Sequence, residues 1–152
     1  MKKIWTLIIL LCFVASAYAA SAMKLWQKGK KAYDKNEYSE AISYFKKAAE
    51  ADPQDGETFR WLGHAYYRNR QYQDAVDAYK QAVSLPHNKE VEQESWFYMS
   101  EGYRQMGQWD AAISSRKRYL ICELKYSRYT STASSITCEL LFSTKKGSSK
   151  LR

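Results

Sequence analysis

The chain repeats itself, and this limits its fold more than any other feature. Displaced by 34 residues, Gly29 falls on Gly63, Tyr38 on Tyr72, Ala41 on Ala75, Phe45 on Tyr79 and Ala48 on Ala82. A further displacement of 37 brings Phe59 onto Trp96, Leu62 onto Met99, Tyr66 onto Tyr103, Tyr72 onto Trp109 and Ala75 onto Ala112. The three extra residues fall near Pro86 to Gln93, where Pro86-His87-Asn88 marks a loop. A period of this length describes one supersecondary unit. Such a unit cannot bury its own apolar face, so stability comes from stacking successive copies.

Each unit reads as helix-turn-helix. In the second copy Phe59, Leu62, Gly63 and Tyr66 recur at helical spacing and form one face of a first helix. Asn69-Arg70-Gln71 is a polar turn. Tyr72, Ala75, Val76, Tyr79, Ala82 and Val83 form the face of a second helix. Gly63 and Ala75 let the two helices of a unit approach closely, Ala82 does the same toward the next unit, and aromatic rings fill the wedges between. Composition fits this reading. Gly (6) and Pro (2) are too scarce for a turn-rich β protein, and aromatics reach 15% of 152 residues. Pro53 stops the second helix of the first copy after Ala51-Asp52.

Gly, aromatic, Ala, aromatic and Ala at these offsets, followed by Pro53, resemble the tetratricopeptide repeat family over residues 22 to about 121. The resemblance implies an all-α fold, an α-solenoid of about three repeats (22–55, 56–92 and an incomplete 93–121) with an irregular C-terminal tail. Three positions depart from the family pattern. Lys28 stands where a large apolar residue is usual, with Leu25 and Trp26 nearby. Ser100 stands where Gly is usual, and Arg116 where an aromatic is usual.

The two ends differ from the repeats. Residues 1–19 read as a secretory signal peptide: Lys2 and Lys3, an apolar run from Ile4 to Val14 broken only by Thr6, then Ala17-Tyr18-Ala19. The run is shorter than the roughly 20 residues a membrane span needs. Cys12 follows Leu11, whereas a lipid-modified Cys normally follows a small residue. Cleavage after Ala19 and a periplasmic or secreted location are expected, and the Lys-Lys start is bacterial in style. Cys122 and Cys138 would then sit in a compartment that permits a disulfide. From Cys122 onward Ser and Thr make up 11 of 31 residues, and six basic residues face two acidic ones. No capping helix is evident in 122–152, so this segment reads either as a disordered basic tail or as the product of a shifted reading frame or truncated gene.

Charge is informative once it is located. The net +8 falls to +2 over residues 20–121, where sixteen basic residues face fourteen acidic ones. The repeat body is therefore nearly neutral. Catalytic chemistry has little support: His64 and His87 lie far apart in the pattern, and no His-Glu-x-x-His, P-loop or Gly-x-Ser-x-Gly motif occurs. No cofactor or metal is expected, and no room remains for an added catalytic domain.

In the family, the first helices of successive repeats line a concave groove that holds a partner peptide. Carried over, this implies Trp26, Lys30 and Tyr33 from the first copy, Arg60, His64, Tyr67 and Arg68 from the second, and Phe97, Glu101 and Arg104 from the third. The mix suits a protein segment with acidic and apolar side chains. The family's clamp for a C-terminal carboxylate uses Lys and Asn where this chain has Trp26 and Lys30, so that clamp is not implied. The expectation is a non-enzymatic interaction scaffold in the bacterial envelope, with no nucleic acid and no integral span in the mature chain. The uncapped end allows a homodimer. The alternatives are peripheral binding to polyanions through Arg116-Lys117-Arg118 and the basic tail, or a fragment of a longer repeat protein.

Overall fold

The computed structural model describes residues 21–127, which form six helices and, among the described residues, no strand. They are α1 (21–34), α2 (Tyr38–Ala51), α3 (Gly56–Arg68), α4 (Tyr72–Ser84), α5 (Lys89–Gln105) and α6 (109–127). The segment expected to be a signal peptide (1–19), and residues 128–152 with Cys138, lie outside the described residues.

The sequence period is written into the backbone. Asn36, Arg70 and Gly107 occupy the same place in the three turns inside repeats, all left-handed, with φ of 66°, 62° and 73°. Each follows a helix whose end is closed by the same bond. Glu37 N–H donates to Ala32 C=O (3.0 Å), Gln71 to Tyr66 (2.9 Å) and Gln108 to Tyr103 (2.9 Å). This is the Schellman closure, which satisfies carbonyls that the helix leaves open. Only the third turn supplies glycine at the left-handed position, the residue with the least steric cost there. Side-chain caps start α3 and α5. Asp55 accepts from Glu57 N–H (3.1 Å) and Asn88 from Val91 N–H (2.9 Å).

Within a repeat the two helices meet glycine against ring. A Cβ on Gly29 would lie 2.8 Å from Phe45 Cε1, and one on Gly63 only 2.6 Å from Tyr79 Cε1. Phe45 and Tyr79 are fully buried. The third repeat departs from this in a coupled way. Ser100 takes the glycine position and is buried, while Arg116 takes the ring position and is exposed. With no ring above it, the Ser100 side chain has room. Repeats join through α4 and α5, where a Cβ on Gly102 would come within 2.9 Å of Val76 Cγ2.

The last described helix, α6, runs through residue 127, past the boundary expected at 121. Its inner face is Ser115, Tyr119, Cys122 and Tyr126, spaced i, i+4, i+7, i+11. Ser115 and Cys122 are buried, the Tyr119 ring meets Phe97 at 5.7 Å, and Tyr126 Oη donates to Glu92 (2.9 Å). Gln93 Nε2 donates to Glu123 Oε1 (2.6 Å). This stripe is helical in period but polar at its tips, so hydrophobicity alone does not reveal it.

Candidate functional site

The first helices α1, α3 and α5 lie side by side and join through aromatic side chains. Trp61 of α3 is the hub. Its ring meets Trp26 at 6.3 Å, Tyr33 at 5.5 Å and His64 at 5.4 Å, each edge to face. His64 meets Tyr98 of α5 at 4.7 Å, and Tyr98 meets Tyr67 at 5.5 Å. The result is a connected aromatic surface across all three repeats. Lys30 Nζ sits 4.4 Å above the Trp61 ring, in cation–π range, and 2.6 Å from Asp34.

A polar tie lies beneath this surface. Arg60 is buried, donates through Nε to Glu57 Oε2 (3.0 Å) and pairs with Glu94 across the gap between α3 and α5. Trp61 Nε1 donates to Glu57 Oε1 (2.9 Å). His64 Nε2 lies 3.2 Å from Glu94 Oε2, and its Nδ1 lies 2.7 Å from Tyr79 Oη. Burial pushes the His64 pKa down despite the Glu94 hydrogen bond, and pushes the Tyr79 hydroxyl well up. A neutral His64 therefore donates from Nε2 to Glu94 and accepts from Tyr79 at Nδ1. The hydrogen bond from His64, with the Arg60 charge, holds the Glu94 carboxyl below its usual range against the opposing effect of burial.

Of the ten residues implied by the family, the structure gathers Trp26, Lys30, Tyr33, Arg60 and His64 around Trp61, and Tyr67 against Tyr98. Arg60 and His64 are correspondingly not free hands for a ligand; they are buried and tie α3 to α5. Arg68 turns to Tyr38 on α2, donating from Nη2 to its hydroxyl at 2.7 Å. Phe97 turns toward α6, beneath the Arg116 guanidinium at 4.6 Å. Glu101 and Arg104 pair with each other (2.7 Å) and border a cleft of about 280 Å³ with Trp109 and Ile113. A second cleft of about 420 Å³ lies beside Trp26, lined by Met23, Asp55, Glu57 and Thr58.

The residues that the family carry-over misses are Glu57, Trp61, Glu94 and Tyr98. A signal for them exists, since the 37-residue displacement also brings Trp61 onto Tyr98 and Glu57 onto Glu94. Taken together, three of the four Lys and Arg residues carried over already have carboxylate partners: Arg60 with Glu57 and Glu94, Lys30 with Asp34, Arg104 with Glu101, while Arg68 is held by Tyr38. What this face offers a partner is chiefly aromatic area of balanced charge. Among the described residues no group of His, Cys, Asp and Glu is placed to hold a metal ion, and no helix is long and apolar enough to cross a membrane.

The tetratricopeptide repeat family model matches residues 27–89. A small glutamine-rich tetratricopeptide repeat-containing protein 2 from Mycosarcoma maydis is 36% identical over 55 residues, covering 36% of this chain and 16% of that protein. The chain spans between 7% and 16% of the lengths of the curated relatives it matches. Among solved structures, the N-terminal domain of stress-induced protein-1 from C. elegans superposes with a TM-score of 0.66 at 16% identity, over 70% of this chain and 87% of that one. The first tetratricopeptide domain of Spaghetti, bound to the HSP90 peptide SRMEEVD, does so with 0.64 at 22% identity, over 80% and 94%. With helix pairs at this period, closed by the same turn, the described residues form an array of tetratricopeptide repeats.

Proposed function

We propose that this chain is a non-enzymatic interaction module that holds an extended segment of a partner protein against the Trp26–Trp61–Tyr98 surface. The observation that carries this reading is the connected run of rings across α1, α3 and α5, whose neighbouring cations are already neutralised. Aromatic side chains give large contact area at low entropic cost. Apolar and aromatic side chains of the partner contribute most. An acidic side chain would have to displace Asp34 from Lys30 or Glu101 from Arg104 at the two ends, since Arg60 is buried between Glu57 and Glu94. The peptide held by the structurally similar Spaghetti domain supports groove binding in general. Peptide-array selection followed by titration tests the reading. If Trp61→Ala and Tyr98→Ala leave the dissociation constants of selected peptides unchanged, the groove is not the binding surface.

The N-terminal sequence supports a working compartment outside the cytoplasm, in the bacterial envelope or beyond it. N-terminal sequencing of the chain isolated from its cells should then begin at Ala20. Polyanion binding through Arg116-Lys117-Arg118 is the weaker reading, because the Arg116 and Arg118 guanidiniums rest over the rings of Phe97 and Trp96.

A further inference from the structure

The outer face of α6 is the largest exposed apolar feature among the described residues. Trp109 (63%), Ile113 (55%), Leu120 (52%) and Leu124 (65%) are each more than half exposed, with Ile121 beside them. Steps of four, seven and four residues put these four on one stripe about 22 Å long. In a solenoid the next element covers such a face, and isolated patches of this kind mark interaction surfaces.

Three occupants are available, and two fit poorly. Beyond residue 127 the chain has one apolar cluster, Ile136 to Phe142. As a helix it would reach only about 10 Å, and as a strand it would turn alternate side chains away. The α1 end of another copy presents Lys24, Lys28, Lys31 and Lys35 at i, i+4, i+7, i+11, all exposed and, among the described residues, without an ion pair. Arg116, Lys117 and Arg118 on α6 would meet them with like charge, which disfavours head-to-tail stacking.

The third occupant is a second α6. The spacing four, seven, four reads the same in both directions, so it is symmetric about a point between Arg116 and Lys117. We infer that two copies of this chain pair through α6, antiparallel, about a two-fold axis at that point. Trp109 then lies opposite Leu124 of the second copy, and Ile113 opposite Leu120. Such an interface is isologous and closes after two chains. The charges near the axis are accommodated. Arg116 is already drawn aside over Phe97 (4.6 Å) and Tyr119 (5.3 Å). Lys117 can lay its aliphatic stem along the stripe and keep its ammonium in water. Trp109 and Ile113 also wall the cleft holding Glu101 and Arg104, so the second copy would close the third-repeat end of the groove.

The test is light scattering on the full chain as isolated from cells, followed by crosslinking. A dimer in the micromolar range is expected, and Ile113→Asp with Leu120→Asp should give a monomer with unchanged helical circular dichroism. In a background with Cys12 and Cys138 changed to Ser, Lys117→Cys should crosslink to itself through a short bismaleimide. Trp109→Cys should crosslink only when mixed with Leu124→Cys, since its own copies lie about 22 Å apart across the axis. A chain that stays monomeric at several hundred micromolar overturns the inference. So does a dimer that survives both Asp substitutions, or self-crosslinking of Trp109→Cys. If the Asp variant loses helix, the two crosslinking patterns decide the matter alone.

Discussion

Gly63 lies directly beneath the ring of Tyr79, with 2.6 Å between the place a Cβ would take and Tyr79 Cε1. The same relation joins Gly29 to Phe45, and it is absent where Ser100 and Arg116 take the two positions. Glycine at this site is therefore a consequence of the ring. Gly63→Ala should destabilise the chain by about 1–3 kcal/mol, the usual cost of overpacking a filled core. Ser100→Gly should change stability by less than about 1 kcal/mol, set by helix propensity alone. Urea unfolding of both variants checks this; equal effects would break the link between glycine and ring.

Arg60 should act on stability before it acts on binding. It is 8% exposed and has carboxylates on both α3 and α5. Arg60→Ala leaves Glu57 and Glu94 without their cation. Glu94 is nearly half exposed, so water compensates part of the loss. A cost of about 1–3 kcal/mol is expected. Groove affinity, measured where the variant is fully folded, should fall less than for Trp61→Ala. A larger loss of affinity than of stability would return Arg60 to the ligand.

Stability should fall with acid from near neutrality. Burial holds the His64 pKa below its ordinary 6.5, so the unfolded chain takes up this proton more readily than the folded one. The stability tied to neutral His64 is complete above pH 6.5 and is lost as pH drops below it toward the folded value. Glu94, also held below its ordinary 4.5, adds a second loss at lower pH, as its carboxylate protonates. Thermal midpoints between pH 7.5 and 5.5 should decline in the wild type and decline less in His64→Gln, which lacks the titrating ring. Equal slopes would exclude His64 as the source.

Much of this architecture is legible in the sequence, because each repeat has the same packing problem and solves it with the same residues. Gly63 and Tyr79, and the turn at Asn69-Arg70-Gln71, are read correctly for that reason. The end of α6 is not, since Ser115, Cys122 and Tyr126 pack through small or polar-tipped side chains that leave no apolar signal. The groove shows a different limit. Family position indicates which residues sit on the first helices, but not that Glu94, from the next repeat, turns Arg60 and His64 inward. That pairing joins residues 34 and 30 apart and becomes visible only when the repeats are stacked.

The same pairing predicts how a groove ligand responds to salt. Lys30, Arg60 and Arg104 each have an internal carboxylate, so little net charge is left to attract a ligand over distance. Affinity for a selected peptide should change less than about threefold between 50 and 500 mM NaCl. Trp61→Ala, which removes the hub of the aromatic run, should weaken binding by about 10- to 100-fold, the effect of losing a central aromatic anchor. Fluorescence or calorimetric titration of the wild type and Trp61→Ala at both salt concentrations separates the two contributions. A steep salt dependence with little effect of Trp61→Ala would mean that charge rather than aromatic area selects the partner. It would also point to Lys30 and Arg104, the cations at the two ends of the groove.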